Sequence, residues 1–379
     1  MGNRPKRLAR LPQQYFVGLL ARVAAAAAEA GPPLIDLGRG NPDIGPPPHV
    51  VEALTAAAHD PSVHGYSAIR GLARTKEAIA GRYRDVYGVE LDPEREVALV
   101  PGTKTAIVEL AMALADDGDT MLLPDPYYPD YPSGLALAGA RLQTVPLVPE
   151  AGWAPDLDAA PSAAALLLNY PSNPCAVCAP AGTFAAAVRW AGRTGGHVVH
   201  DAAYADLVFD GRAPESFLAT PGAKEVGVEM WTMSKTYGMA GWRIGFVLGN
   251  AEVVERLNLF NDHSRVGIFA PLQAAAVAAL EGPQTSVAER VATYQARRDR
   301  LAAALPVPIV CEGTFYVWLR LPEGLTADRL LVEERVAVAP GEGFGPSGAG
   351  WVRLSLAVTD AAIDEAAGRL ARSLAGAPA

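Results

Sequence analysis

The sequence predicts an α/β protein built on a mainly parallel sheet, with a second, smaller α+β unit. Three observations carry that expectation. From about residue 50 to 285, short β-rich runs alternate with helix-patterned stretches, the rhythm of strand–crossover–strand units. After a long helix-like stretch from Pro283 to Leu305, the pattern changes to closely spaced strand-like runs and one closing helix. The 379 residues also exceed what one hydrophobic core usually supports, roughly 250–300 residues.

The elements follow in order. Near the N-terminus "LLARVAAAAAEA" reads as helix rather than low complexity, because alanine is the strongest helix former. The Pro-rich "GPPPH" (45 to 49) marks entry into the larger unit. Strand-like runs then come as "EVALV", "TMLLP", "ALLLNY", "HVVHD", "EMWTMS" and "RIGFVLG", separated by helical patterns such as "TKTAIVELAMALA". Beyond residue 305 stand "GTFYVWLRLP", "VAVAPGEGFG" and "WVRLSLA", and "LAGAPA" reads as a frayed end. The expected division is an N-terminal segment, 1–48, returning to the small domain; a large domain, 49–285; and a C-terminal small domain, 286–379.

Composition narrows the partners. A formal charge of -9, from 32 basic and 41 acidic residues, offers no basic face for nucleic acid and no polybasic patch for a membrane surface. Cys175, Cys178 and Cys311 form neither a disulfide framework nor a ligand set at metal spacing, so no metal is expected. "MGNRPKRLARLPQQ" is no signal peptide, and no apolar run approaches the roughly 20 residues of a membrane span. The expectation is a cytoplasmic protein acting on a small, diffusible molecule.

In open α/β sheets ligands bind beyond the carboxyl ends of the strands, so the residues that follow each run are the candidates. "HVVHDAAY" delivers Asp201 and then Tyr204; "EMWTMSK" delivers Ser234 and Lys235; "LVPGTKTAIVEL" delivers Gly102 and Thr103 to a helix start. Free backbone N–H groups at such a start make a generic anion site. Lys104, next in line, is a further candidate whose plainer reading is a solvated side chain. A lysine among apolar residues loses its charge readily, and the neutral amine can condense with an aldehyde. An aspartate facing a pyridine nitrogen keeps that nitrogen protonated. With Ser234 and Arg243 near the anion site, the set matches the demands of pyridoxal 5'-phosphate.

The segment "SKTYGMAGWRIGF" resembles the lysine segment of the class I/II aminotransferases of fold type I. "IDLGRGNPD", "HGYSAIRGL", "PGTKTAI", "PDPYYPDY", "NYPSNPCAVC", "VVHDAAYADLVFDG", "FAPLQAAAVAAL" and "WVRLSLA" follow in that family's order and spacing. The wording is most similar to the bacterial alanine (glutamate–pyruvate) branch. The resemblance implies a seven-stranded sheet, a homodimer with shared active sites, and transfer of an amino group between an amino acid and a 2-oxo acid. It implies that Lys235 binds the cofactor and then moves the proton, and that Asp201 pairs with the ring nitrogen. Asn173 and Tyr204 would meet the ring's phenolic oxygen and Tyr128 would stack on its face. Gly102, Thr103, Lys104, Ser234 and Arg243 would surround the phosphate, with Tyr66 reaching it from the partner subunit. Arg353 would clamp the substrate carboxylate in a pocket shared with Gly40, Asn41 and Asn173.

Several positions depart from the pattern. Cys175 follows "NP" where the family usually has Thr, Gly238 stands where the closest branch often has Asn, and Ile268 brings no hydroxyl to the subunit boundary. Arg265 admits two readings, a salt-bridged side chain or a receiver for a side-chain carboxylate entering from the other subunit. The stretch from Leu321 to Pro340 is a few residues short. Alternatives are an aspartate or diaminopimelate-type aminotransferase, a β-lyase on the same scaffold, and a ligand-sensing module; the last would need an attached basic DNA-binding segment.

Overall fold

The computed structural model describes residues 5–375, so the last residues of "LAGAPA", from 376 on, lie outside the described residues. A short strand β1 (Ile35–Asp36) precedes seven strands that form one sheet: β2 (Val97–Val100), β3 (Thr120–Asp125), β4 (Arg141–Pro146), β5 (Ala165–Asn169), β6 (His197–Asp201), β7 (Gly227–Thr232) and β8 (Gly245–Gly249). Their order is β2-β8-β7-β6-β5-β3-β4. Pairing is parallel from β7 through β6, β5 and β3 to β4, and β8 runs antiparallel between β7 and β2. This is the mainly parallel seven-stranded sheet of a fold type I α/β protein.

Six of the seven strands are the runs read from the sequence. The seventh, β4, has the sequence RLQTVP and lies almost wholly exposed. One of the two edge strands, it buries only Val145, so the apolar signal that marks β5 or β7 is missing from it, whereas the other edge strand, β2, is buried along its length. The central strands are buried along almost their whole length; Asn169, Asp201 and Thr232 stand at their carboxyl ends, while His200 and Glu229 are buried within β6 and β7 and hydrogen-bond to each other (2.7 Å).

A second layer completes the molecule. Strands β9 (Tyr316–Arg320), β10 (Val336–Ala337), β11 (Ala339–Pro340) and β12 (Trp351–Ser355) follow the 20-residue helix Thr285–Ala304. β9, β12 and β11 form an antiparallel sheet, while β10 pairs in parallel with β1. The N-terminal segment is thereby hydrogen-bonded to the C-terminal part, and the Ser355 N–H adds a bond to the Leu37 carbonyl (2.7 Å). Leu37, Phe315, Val317, Leu354, Ile363 and Leu370 share one buried cluster. The helix Pro48–Ala58 packs instead on Ala270–Glu281. Between Leu321 and Pro340 lie the helix Ala327–Glu333, β10 and β11. Among the described residues no helix is long and apolar enough to cross a membrane.

Gly238 is explained by this packing. Its φ of +69° lies in the left-handed region, and a Cβ there would overlap the Ile44 carbonyl oxygen and Arg290 Nη2. Those two groups are themselves bonded, with Arg290 Nη1 donating to Ile44 O (2.8 Å) and Nη2 to Gly45 O (3.0 Å). Nothing larger than a hydrogen fits without moving the 44–45 segment. Gly238→Ala is expected to cost about 2 kcal/mol and to lower the melting temperature by several degrees in calorimetry. An unchanged melting temperature would show that the segment yields freely.

Candidate active site

Beyond the carboxyl ends of β5, β6 and β7 lies a cavity of about 420 Å³. Gly40, Thr103, Lys104, Tyr128, Asn173, Asp201, Tyr204, Ser234, Lys235, Arg243 and Arg353 all line it. Residues more than 300 positions apart in the chain thus meet at one place.

Lys235 follows β7 on a single helical turn, Met233–Thr236. Its ammonium sits 5.8 Å from the Tyr204 ring centre and 5.4 Å from that of Phe315. Removal from water, with Arg243 and Arg353 adding repulsion, lowers its pKa from 10.5 to about 8. Beneath it Asp201 is buried; Tyr131 O–H donates to its Oδ2 (2.8 Å) and the Ala203 N–H to its Oδ1 (3.1 Å). Burial raises the Asp201 pKa, and these donors together with His200 and Lys235 work in the opposite direction.

On one side the helix Thr103–Leu114 begins at Gly102, whose φ is +86° and whose N-terminus has no side-chain cap. A Cβ on Gly102 would fill the space taken by the Arg243 guanidinium. Arg243 itself has a left-handed φ of 57°, which turns its side chain back to the carbonyls of Ala240 (2.8 Å) and Pro101 (3.3 Å). Among the described residues it pairs with no carboxylate. The Ser234 hydroxyl lies 2.9 Å from that of Thr232. Uncapped helix N–H groups, a cation without a counter-ion and two hydroxyls form a donor set that fits a phosphate. Lys104 is less free, since it pairs with Asp130 at 2.8 Å while remaining more than half exposed.

On the other side Arg353 is 0% exposed, and its guanidinium stacks 3.9 Å from the Tyr316 ring centre. Nη1 donates to Asn173 Oδ1 (2.7 Å) and Nη2 to Gly38 O (3.2 Å), while Nε is buried without a partner. A buried cation with no anion beside it among the described residues and a donor to spare fits a carboxylate ligand. Tyr204 O–H donates to Tyr316 Oη at 3.3 Å, so the two phenols close the wall between Lys235 and Arg353.

Not every sequence candidate reaches this cavity. Asn41 is exposed and lines a neighbouring crevice with Gly40, because the chain turns outward after Gly40. Tyr66 is 94% exposed, and Arg265 is held within its own chain by Glu109 (3.3 Å) and the Leu99 carbonyl (2.6 Å). Phe16, Tyr131, Asn169 and Tyr316 line the cavity without having been singled out. Asn169 carries the same signal as Asp201, a polar residue closing an apolar strand, and Tyr131 stands three residues after Tyr128. Phe16 and Tyr316 carry no local signal, because distant packing alone brings them there. Among the described residues no group of three His, Cys, Asp or Glu is placed to hold a metal ion.

Comparison with known proteins agrees with this geometry. Residues 32–370 match the family "Aminotransferase class I and II". The chain is 44% identical over 381 residues to the L-glutamine–4-(methylsulfanyl)-2-oxobutanoate aminotransferase of Bacillus subtilis (strain 168), covering 96% of this chain and 95% of that protein. It is 41% identical to the glutamate-pyruvate aminotransferase AlaC of Escherichia coli (strain K12), covering 92% and 89%. The solved structure of substrate-bound BacF from Bacillus subtilis superposes with a TM-score of 0.92 at 37% identity, covering 98% of both chains. A buried lysine, a buried aspartate and a phosphate-fitting cradle around one cavity are what such a transferase needs, and the chain belongs to the class I and II aminotransferases of fold type I, enzymes that use pyridoxal 5'-phosphate.

Proposed function

We propose that this enzyme moves an amino group between alanine or glutamate and pyruvate or 2-oxoglutarate, in two half-reactions with ping-pong kinetics. The observation that supports amino-acid binding is Arg353, a fully buried guanidinium on the cavity wall with no carboxylate partner among the described residues. When bound, the cofactor supplies a protonated pyridine ring that accepts the electron pair left at the substrate Cα.

The chain's own residues do the rest. The Thr103 N–H at the helix start, the Ser234 hydroxyl and the Arg243 guanidinium would hold the phosphate, with Lys104 at the rim and Gly102, whose own N–H goes to the Val100 carbonyl (2.7 Å), giving the close approach. Asp201 would keep the ring nitrogen protonated, Asn173 and Tyr204 would donate to the phenolic oxygen, and Tyr128 would cover the ring face. Arg353 orients the substrate by its carboxylate beside Gly40 and Asn173. Lys235 Nζ, once neutral, takes the proton from Cα and holds it for the return transfer. The segments 1–48 and 286–379, which carry Gly40 and Arg353, would form the smaller domain against 49–285. The free state of all three thiols is consistent with a reducing, cytoplasmic setting.

A second reading is transfer onto an oxo acid with a thioether side chain. It is favoured by the aromatic rings of Phe16, Tyr128 and Tyr316 in the cavity and by the glutamine–4-(methylsulfanyl)-2-oxobutanoate transferase named for the 44%-identical relative. A panel of alanine, glutamate, glutamine, methionine and aspartate against pyruvate, 2-oxoglutarate and 4-(methylsulfanyl)-2-oxobutanoate separates the readings. The highest kcat/KM is expected for alanine with 2-oxoglutarate; a preference for glutamine with the thioether acid would replace it. Pyruvate released from cystathionine with no acceptor present would point to a β-lyase.

The working unit in this proposal is a homodimer. Tyr66, Val266 and Phe269 stand 94%, 58% and 42% exposed. They belong to one surface, because a Cβ on Gly267 would overlap the Ser67 and Ala68 carbonyls and Gln273 Nε2 donates to Ser67 Oγ (3.1 Å). Such an apolar face on a water-exposed surface is the mark of a partner. Sedimentation is expected to give twice the chain mass. Tyr66→Ala should weaken cofactor retention although the residue is remote from its own cavity; unchanged retention in a dimer would remove the cross-subunit role.

A further inference from the structure

Asn169 closes β5 opposite Asp201, its register partner on the neighbouring parallel strand β6. Beyond this last rung the two chains diverge, and their backbone groups need other partners. The Asn169 side chain provides them: Nδ2 donates to the Asp201 carbonyl (2.8 Å), and Oδ1 accepts from the Asn173 N–H (2.7 Å). One planar amide therefore spaces Asp201 from Asn173. The contacts continue at both ends, with Tyr131 donating to Asp201 Oδ2 (2.8 Å) and Arg353 Nη1 donating to Asn173 Oδ1 (2.7 Å).

We propose that Asn169 is a positioning residue that couples the pyridine-ring edge to the carboxylate clamp. It holds Asn173 at a distance from Asp201 at which one side chain serves both the cofactor's phenolic oxygen and Arg353. The role needs a donor and an acceptor on the same rigid plane, which alanine lacks and serine supplies only in part. This proposal rests on the cofactor reading above.

The test uses the cofactor-loaded enzyme with Asn169→Ala and Asn169→Ser. Displacing Asn173 from the phenolic oxygen should move the pH midpoint of the visible absorbance of the Lys235-bound cofactor up by about one pH unit. The amino-donor KM should rise roughly tenfold with a smaller change in kcat, as loss of one charge-assisted contact at Arg353 requires. In the cofactor-free protein the Asn173 amide should exchange faster with deuterium. If Asn169→Ala does not fold, Asn169→Ser carries the same measurements. A lowered melting temperature with midpoint and KM at wild-type values would make Asn169 merely structural and overturn the proposal alone. Failure of the wild-type protein to develop the absorbance with added cofactor would overturn the cofactor reading, and this proposal with it.

Discussion

Lys235→Ala is expected to lower turnover by at least about 10⁴-fold while leaving the fold intact by circular dichroism. The size follows from two losses at one atom, since in the proposed mechanism Nζ serves both as the point of cofactor attachment and as the proton carrier. In half-reactions monitored by cofactor absorbance, residual rates within tenfold of wild type would refute the assignment.

The same substitution has a signature in pH. The Lys235 pKa in the ligand-free fold is about 8 against an ordinary 10.5, so between those values the unfolded chain binds the proton more tightly than the native one. Stability therefore falls as pH drops through this window, and below about 8 the full cost of burying the charge is present. Lys235→Ala relieves that cost, up to about 3 kcal/mol below pH 8, and the relief vanishes as pH approaches 10.5. Urea titrations of the cofactor-free proteins at pH 7 and pH 10 check the sign. A variant less stable than wild type at pH 7 would mean that the aliphatic stem, not the charge, dominates.

Arg353→Lys is the second large effect. The guanidinium lies flat on Tyr316 and within 4.8 Å of the Phe344 ring centre, bonds to Asn173 and Gly38, and still has Nε free. An ammonium is a point charge, unable to span these two acceptors and also present a planar fork to a carboxylate. Losing a bidentate, charge-assisted pair of about 2–3 kcal/mol predicts KM values for amino donor and oxo-acid acceptor roughly 30- to 150-fold higher. The cofactor should still be retained, because the Arg353 hydrogen bonds go to Asn173 and Gly38 rather than to the phosphate-fitting cradle. Unaltered KM values would show that the substrate carboxylate binds elsewhere.

Much of the site is legible in the sequence because of one rule of parallel sheets. Strands buried on both faces read as largely apolar runs, so the polar residues at and just beyond their carboxyl ends stand at the ligand edge; Asp201, Ser234 and Lys235 are found this way. The rule extends to Asn169, which closes "ALLLNY" as Asp201 closes "HVVHD". It cannot find β4, which buries only Val145 and so lacks an apolar run, nor Phe16 and Tyr316, which reach the cavity from segments outside the large sheet.

What the sequence alone determined is the family, the strand rhythm and the kinds of chemistry available, since these depend on residue type and local order. The tertiary structure decided how the charges are allotted. Lys104 goes to Asp130 and Arg265 to Glu109, whereas Arg243 and Arg353, which both line the cavity, have no carboxylate partner among the described residues. The same folding takes Lys235 out of water between those two cations and lowers its pKa. Pairing and desolvation are properties of distance and surrounding medium, and for residues as far apart in sequence as Gly38 and Arg353, 315 positions, only the folded chain sets them.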